Sequence, residues 1–297
     1  MIPGGSGGAP LASPEGTRAI LRRFDIRPAK RWGQHFLVSP RALDRILDAA
    51  GLDAVDSVLE VGAGIGTLTT ALALRAGWVT ALEVDRRLLA ALGAVTEFLA
   101  NVRLVAGDAL AVEFADLFQG PPGAPRKAVA NLPYNIAAPV LIRLLDPTLH
   151  LVRAVVTVQR EVGERIAAAP GAEAYGRLSV AVQYRGVPRI VSRVPPGAFL
   201  PAPEVESAIV VIVPHAQPPV AVPDEAEFFR VVAAGFGHRR KTLANALARG
   251  LGLDVRTVDA ACVAAGVSPR VRAETLGLEA FAALARALHA ALGDVTG

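Results

Sequence analysis

Ser57-Val58-Leu59-Glu60-Val61-Gly62-Ala63-Gly64-Ile65-Gly66-Thr67 is the stretch that decides the fold. Its first five residues read as a short buried strand that runs directly into a glycine-rich turn. The pattern that follows predicts a helix from about Thr67 to Ala76, which Gly77 ends. Glycines between a strand and a helix let a ligand approach the backbone and meet the positive end of the helix. The spacing is G-x-G-x-G, and Thr67 stands where a dinucleotide fingerprint has its third glycine, which argues against a nicotinamide cofactor.

Moving outward, the same unit repeats. A second strand, Trp78 to Val84, ends at Glu83 and Asp85, and a helix is expected over Arg86 to Leu99. A third strand, Val102 to Val105, ends at Gly107-Asp108-Ala109, and a fourth, Lys127 to Ala130, ends at Asn131-Leu132-Pro133-Tyr134. Alternating strands and helices, with ligand-type residues at each strand's carboxyl end, predict an open parallel sheet with a cleft along that edge. Glu83 lies about 20 residues past the glycine loop, where a ribose diol is gripped. Asp108 can accept a hydrogen bond from an adenine amine. Together these groups describe a pocket for an adenosine-bearing ligand. At the fourth strand end, Pro133 holds Leu132 extended, Asn131 offers an acceptor oxygen and Tyr134 a flat face. Those groups suit a second planar base carrying an exocyclic amine.

The remaining chain frames this core. Residues 1–16 have neither an apolar core nor a basic start, so they read as a flexible tail and not as a signal peptide. Arg18 to Phe24 looks helical, and Ser39-Pro40 marks the start of a helix that runs to Gly51. Beyond Tyr134 the pattern predicts helices at about 137–145, 160–168 and 175–184, and strands at about 152–158, 188–194 and 207–213, the last two pairing at one edge. The proline-rich segment 215–224 reads as a linker, and 225–297 is helical in pattern. The expected organisation is therefore a tail (1–16), a catalytic domain (17–214), the linker, and a helical RNA-binding domain (225–297).

Composition narrows the class. Of 297 residues 52% are apolar and 20% charged, which supports a large core and excludes a disordered chain. No apolar run approaches ~18–20 residues, so no membrane span is expected. The formal net charge is +4, and 31 basic residues include three lysines, Lys30, Lys127 and Lys241. Arginine forks suit phosphate, so a polyanionic partner fits. The single Cys262 excludes an internal disulfide and a cysteine-based zinc cluster, and suits a reducing cytosol.

Seven words in order carry a family resemblance: Gly33-Gln34-His35-Phe36-Leu37, Glu60-Val61-Gly62-Ala63-Gly64, Asn131-Leu132-Pro133-Tyr134-Asn135, Gln159-Arg160-Glu161, Tyr175-Gly176-Arg177-Leu178-Ser179-Val180, Phe199-Leu200-Pro201-Ala202-Pro203 and Arg239-Arg240-Lys241-Thr242-Leu243. From about Lys30 the chain resembles the S-adenosylmethionine-dependent ribosomal RNA adenine N6-dimethyltransferases, the bacterial small-subunit branch fitting best. The resemblance implies a Rossmann-like class I methyltransferase sheet, mostly parallel with one antiparallel edge strand, and a small all-helical C-terminal domain. It implies S-adenosylmethionine as cofactor, S-adenosylhomocysteine as product and no metal. It implies a cytoplasmic monomer acting on two adjacent adenines near the 3′ end of 16S rRNA in an immature small ribosomal subunit. Carried over by position, Gln34, His35, Leu37, Gly62, Gly64, Glu83, Asp108, Ala109 and Asn131 would hold the cofactor. Asn131, Leu132, Pro133 and Tyr134 would hold the target base, with Phe199 as a second ring. His35 replaces the asparagine of many relatives, and Ala202 a proline. Arg239, Arg240 and Lys241, extended by Arg22 and Arg23, would grip RNA phosphates. Rival readings are the related large-subunit methyltransferase of macrolide resistance, an assembly factor with incidental methylation and, more remotely, a nicotinamide enzyme.

Overall fold

The computed structural model describes residues 10–29, 33–238 and 240–293. The described part of the expected tail begins at Pro10, and its last three residues open a helix, α1 (Pro14–Arg23), because the Ser13 hydroxyl accepts from the Gly16 amide and proline sits in the first turn. A two-residue strand, β1 (Phe36–Leu37), precedes α2 (Pro40–Ala50), which Ser39 caps and Gly51 ends in the left-handed conformation. Then come β2 (Ser57–Val61), α3 (Thr67–Ala73), β3 (Trp78–Glu83), α4 (Arg86–Thr96), β4 (Val102–Ala106), β5 (Arg126–Asn131), α5 (Ala137–Leu144) and β6 (Leu151–Gln159). The chain continues through α6 (Arg160–Ala167), α7 (Arg177–Arg185), β7 (Gly186–Val194), β8 (Phe199–Leu200) and β9 (Ser207–Pro214), and ends in helices α8 to α11 between Glu225 and Gly293.

Seven strands form one sheet in the order β4-β3-β2-β5-β6-β9-β7. The pairs from β4 to β6 are parallel, as the strand–helix alternation predicts, and β6 with β9 is antiparallel. The antiparallel pairing thus falls on β9, one strand in from the edge, with β7 outside it. A separate two-stranded sheet, which sequence pattern did not reveal, joins β1 to β8 with Phe36 opposite Leu200 and Leu37 opposite Phe199.

The chain divides into two compact units. Among the described residues, one comprises those within 1–163 and 188–214, the other those within 164–187 and 215–297. The first holds the sheet, whose central strands β2 and β5 are buried along almost their whole length. The second has its own core, in which Tyr184, Phe228, Leu243, Leu247, Val258 and Phe281 are buried together and the Tyr175 hydroxyl donates to the Leu276 carbonyl at 2.9 Å.

At the amino edge of the sheet, Lys127 and Asp56 form a buried ion pair of 2.6 Å, and the ammonium also donates to the Gly51 carbonyl. Asp56 accepts in turn from the Asp53 amide, and its own carbonyl accepts from Gly77 and Trp78. One clamp therefore registers the starts of β2, β3 and β5. Removing one partner leaves the other charge buried and unpaired, so Asp56→Ala is expected to cost about 3–5 kcal/mol in denaturant unfolding. Replacing both, as Asp56→Leu with Lys127→Met, is expected to cost less than the single change.

Candidate functional site

A cavity of about 300 Å³ opens along the carboxyl ends of β2, β3, β4 and β5 and is closed on one side by residues 33–37. Its floor is the turn after β2, where Gly62, Gly64 and Gly66 have φ of 76°, 61° and 90°. A side chain at Gly66 would meet Val95 at 2.6 Å and Leu92 at 2.9 Å, so this turn must be glycine to pack against α4. At Gly64 a Cβ would lie 3.4 Å from the Phe36 ring, which brings the residue 33–37 segment directly onto the glycine loop.

Two acids stand on the strand ends beside it. Glu83 is buried; one of its oxygens accepts from the Gly64 amide at 2.8 Å, the other from Val84 and Asp85 at 3.0 and 2.9 Å. Burial raises its pKa, and the backbone donors oppose that rise. A carboxylate accepts about four hydrogen bonds, so Glu83 both ties the loop to β3 and keeps capacity for a ligand hydroxyl. Asp108 is exposed on the rim, one oxygen accepting from the Leu110 amide at 2.8 Å. A third acid, Glu60, also lines the cavity; the sequence contained a signal for it, a lone carboxylate inside an apolar strand. It is 1% exposed, accepts from the Thr69 hydroxyl at 2.6 Å, and burial pushes its pKa up to about 8.

At the end of β5 the Asn131 amide donates to the His35 carbonyl at 3.1 Å. Its Oδ1 is buried and has no hydrogen-bond partner among the described residues. The His35 ring stacks on Tyr134 with centroids 5.2 Å apart, and its Nδ1 lies 2.7 Å from the Pro201 carbonyl. A carbonyl only accepts, so Nδ1 carries the hydrogen. The Tyr134 hydroxyl lies 2.6 Å from Ser207 Oγ. Gln34 accepts from the Ala29 amide and donates to Asp85 at 3.0 Å, and Arg87 grips the same carboxylate, holding Asp85 down at about 2.

Gln34, His35, Leu37, Gly62, Gly64, Glu83, Asp108, Ala109, Asn131, Leu132, Pro133 and Tyr134 all line this one cavity. Phe199 does not: it is 3% exposed and faces the core with Leu37, Ile209 and Val211. Pairing within β8 turns it inward, and the ring beside Tyr134 is that of His35. Of the basic candidates, Arg239 lies outside the described residues; Arg240 and Lys241 are exposed in the turn before α9 (Leu243–Leu251), and Arg22 and Arg23 are exposed at the end of α1.

A parallel sheet with a glycine turn after its first long strand, an acid on each of the next two strands and Asn-Leu-Pro-Tyr on the fourth defines a Rossmann-like methyltransferase site. The model of the family described as ribosomal RNA adenine dimethylase matches residues 27–288. Proteins named ribosomal RNA small subunit methyltransferase A are 45% identical in Moorella thermoacetica (94% of this chain, 99% of that protein) and 45% in Pelotomaculum thermopropionicum (93% and 96%). Among solved structures, a dimethyladenosine transferase from Plasmodium falciparum superposes with a TM-score of 0.71 at 25% identity (86% of this chain, 98% of that one). The 23S rRNA methyltransferase ErmE does so with 0.65 at 28% identity (86% and 99%). The chain belongs to the ribosomal RNA adenine dimethylase family, and it is a methyltransferase enzyme.

The cavity's acids make stability depend on pH. Between the ordinary value of 4.5 and about 8, folded Glu60 keeps a proton that the unfolded chain releases, so its contribution is full below that window and is lost as pH rises through it. Glu60→Gln keeps an acceptor for Thr69 and removes the titration. Thermal melts between about pH 5 and 8.5 are expected to decline less in the variant, the gap reaching at least about 4 °C, where 1 kcal/mol is worth about 2–4 °C. Parallel curves would refute the assignment.

Proposed function

We propose that this chain transfers methyl groups from S-adenosylmethionine to the N6 amines of two adjacent adenines in a hairpin loop near the 3′ end of 16S rRNA, within an immature small ribosomal subunit. The observation that carries the reading is the Asn131 amide: the residue lines the cavity, its nitrogen is anchored on the His35 carbonyl, and its oxygen is buried without a hydrogen-bond partner among the described residues. That oxygen suits an N–H donor, and the site's other features suit a nucleoside donor lying beside it. Relatives named for the small subunit, at 38–45% identity, support that RNA over the large-subunit one.

Glu83 and Asp108 would hold the donor's ribose and adenine, and Gln34, His35, Leu37, Gly62, Gly64 and Ala109 would shape its cradle. The donor supplies an activated sulfonium methyl. The protein's task is positioning, because an adenine amine delocalises its lone pair into the ring and attacks poorly. Asn131 Oδ1 and the Leu132 carbonyl would accept from the amine, favour a pyramidal nitrogen and aim its lone pair. Tyr134, backed by His35 on one face, offers the other to a flipped or unpaired base. The methylated nitrogen carries positive charge and is acidic, so it gives its proton to water without a strong base. Arg240, Lys241, Arg22 and Arg23 would grip phosphates, with Arg239 beside them in sequence.

With small subunits lacking the modification as substrate, Asn131→Ala is expected to lower transfer at least about a hundredfold, the scale for removing a preorganised polar group, and to leave subunit binding unchanged. Loss of binding as well would mean that catalytic and docking surfaces are not separate; transfer confined to large-subunit RNA would overturn the substrate. Changing Arg240 and Lys241 together to Gln is expected to flatten the dependence of log affinity on log salt by about 0.7–0.9 for each phosphate that is no longer neutralised.

A further inference from the structure

Thr67 lines the cavity, yet neither the donor nor the base assignment gives its hydroxyl a task. It opens α3, it is 6% exposed, and its hydroxyl is buried with no hydrogen-bond partner among the described residues. The neighbouring threonines of the same helix are satisfied: Thr69 donates to Glu60 at 2.6 Å and Thr70 to the Gly66 carbonyl at 3.0 Å. An unpaired buried hydroxyl is costly, and native structures seldom carry one without a reason. One side-chain bond with three staggered wells sets the direction of the hydroxyl, so pairing with a ligand in the cavity calls for a change of well.

Strand order indicates which part of a ligand it would meet. Asp108 follows β4, Glu83 ends β3, the glycine turn follows β2 and Asn131 ends β5, and these strands lie side by side in that order. A donor whose adenine sits at Asp108 and ribose at Glu83 must run onward toward β2 and β5. Its remaining portion, the amino-acid end, therefore lies where Thr67 joins the glycine turn. A hydroxyl both donates and accepts, so it can serve either the carboxylate or the ammonium of that end.

The geometry points to Thr67 as a binding residue for the amino-acid end of the methyl donor, its hydroxyl being paired only when that end is in place. This rests on S-adenosylmethionine being the donor held by Glu83 and Asp108. The residue is invisible to a glycine-fingerprint reading, where its position registers only as a missing glycine.

Calorimetric titration of the full chain separates the alternatives, using S-adenosylhomocysteine and 5′-methylthioadenosine, which keeps the nucleoside and lacks the amino-acid end. Thr67→Val is expected to weaken S-adenosylhomocysteine about tenfold or more, the scale of a hydrogen bond to a charged group. It should leave methylthioadenosine within about twofold, since the bond removed is outside that ligand. Thr67→Ser should restore the wild-type ratio. Melting of the ligand-free Thr67→Val protein should match or exceed that of the wild type, because the change removes an unpaired polar group. Equal weakening of both ligands, or of neither, would overturn the inference. Failure of the wild type to bind S-adenosylhomocysteine would instead overturn the donor assignment beneath it.

Discussion

The parallel register of four neighbouring strands is the constraint on which the site depends. Ser57 pairs with both Trp78 and Arg126, and Glu83 pairs with Ala106, so the strands run in step and finish at one edge. Strands in a sheet lie about 4.8 Å apart, so the ends of β4, β3, β2 and β5 span roughly 14 Å. That is enough for an extended nucleoside with its side chain. Parallel pairing is possible because helices supply the crossovers, and the Asp56–Lys127 clamp ties the opposite edge while the candidate ligand groups stand at the carboxyl ends. A one-residue slip in any of these strands would turn its terminal side chain to the other face.

Against that edge lies the segment from Gln34 to Val38, which is tied down by hydrogen bonds along its length. Gln34 joins Ala29 to Asp85; His35 gives its carbonyl to Asn131 and its Nδ1 hydrogen to Pro201; Phe36 and Leu37 pair with β8; and the Val38 amide donates to Ala198. Each bond fixes one piece of the cavity wall to another. The segment is therefore structural and chemical at once: the same residue that packs on Tyr134 also sets which end of the Asn131 amide is free.

What the sequence revealed and what it hid differ for physical reasons. Strand, glycine turn and helix are local patterns, so the sheet, the glycine cradle and the acids on successive strands were legible from residues 57 to 134 alone. The β1–β8 pairing was not, because two residues have no periodicity and their partners lie far apart in the chain. Local pattern offered no check on Phe199, carried over by position as a second ring for the target base, because a two-residue strand gives no clue to which face is inward. Residues 164–187 read as a continuation of the sheet domain, yet Tyr175 and Tyr184 pack with Phe228, Phe236 and Phe281 in the helical core. Helical periodicity shows that a face is apolar but not what it is buried against. Glu60 carried a signal, a lone carboxylate inside an apolar strand, whereas Thr67 was hidden by the glycine loop it belongs to, whose polar members are read as spacers.

The amide of Asn131 bears on how one site can act twice on the same nitrogen. In the proposed mechanism a first transfer would leave the amine a single hydrogen for the two acceptors assigned to it, Asn131 Oδ1 and the Leu132 carbonyl. One of the two would then stay unpaired, which in a buried site costs about 1–3 kcal/mol. In this chain that cost is already present before any substrate arrives, since Oδ1 is buried without a partner among the described residues. The bond from Asn131 Nδ2 to the His35 carbonyl prevents the amide from turning away to relieve it. Relative to the free enzyme, then, giving up one of the proposed amine hydrogen bonds after the first methyl would restore a state the fold already tolerates. Neither the amide nor the backbone carbonyl that orients it titrates, so this tolerance is independent of pH. A second transfer needs the remaining N–H to keep either acceptor, and no new machinery.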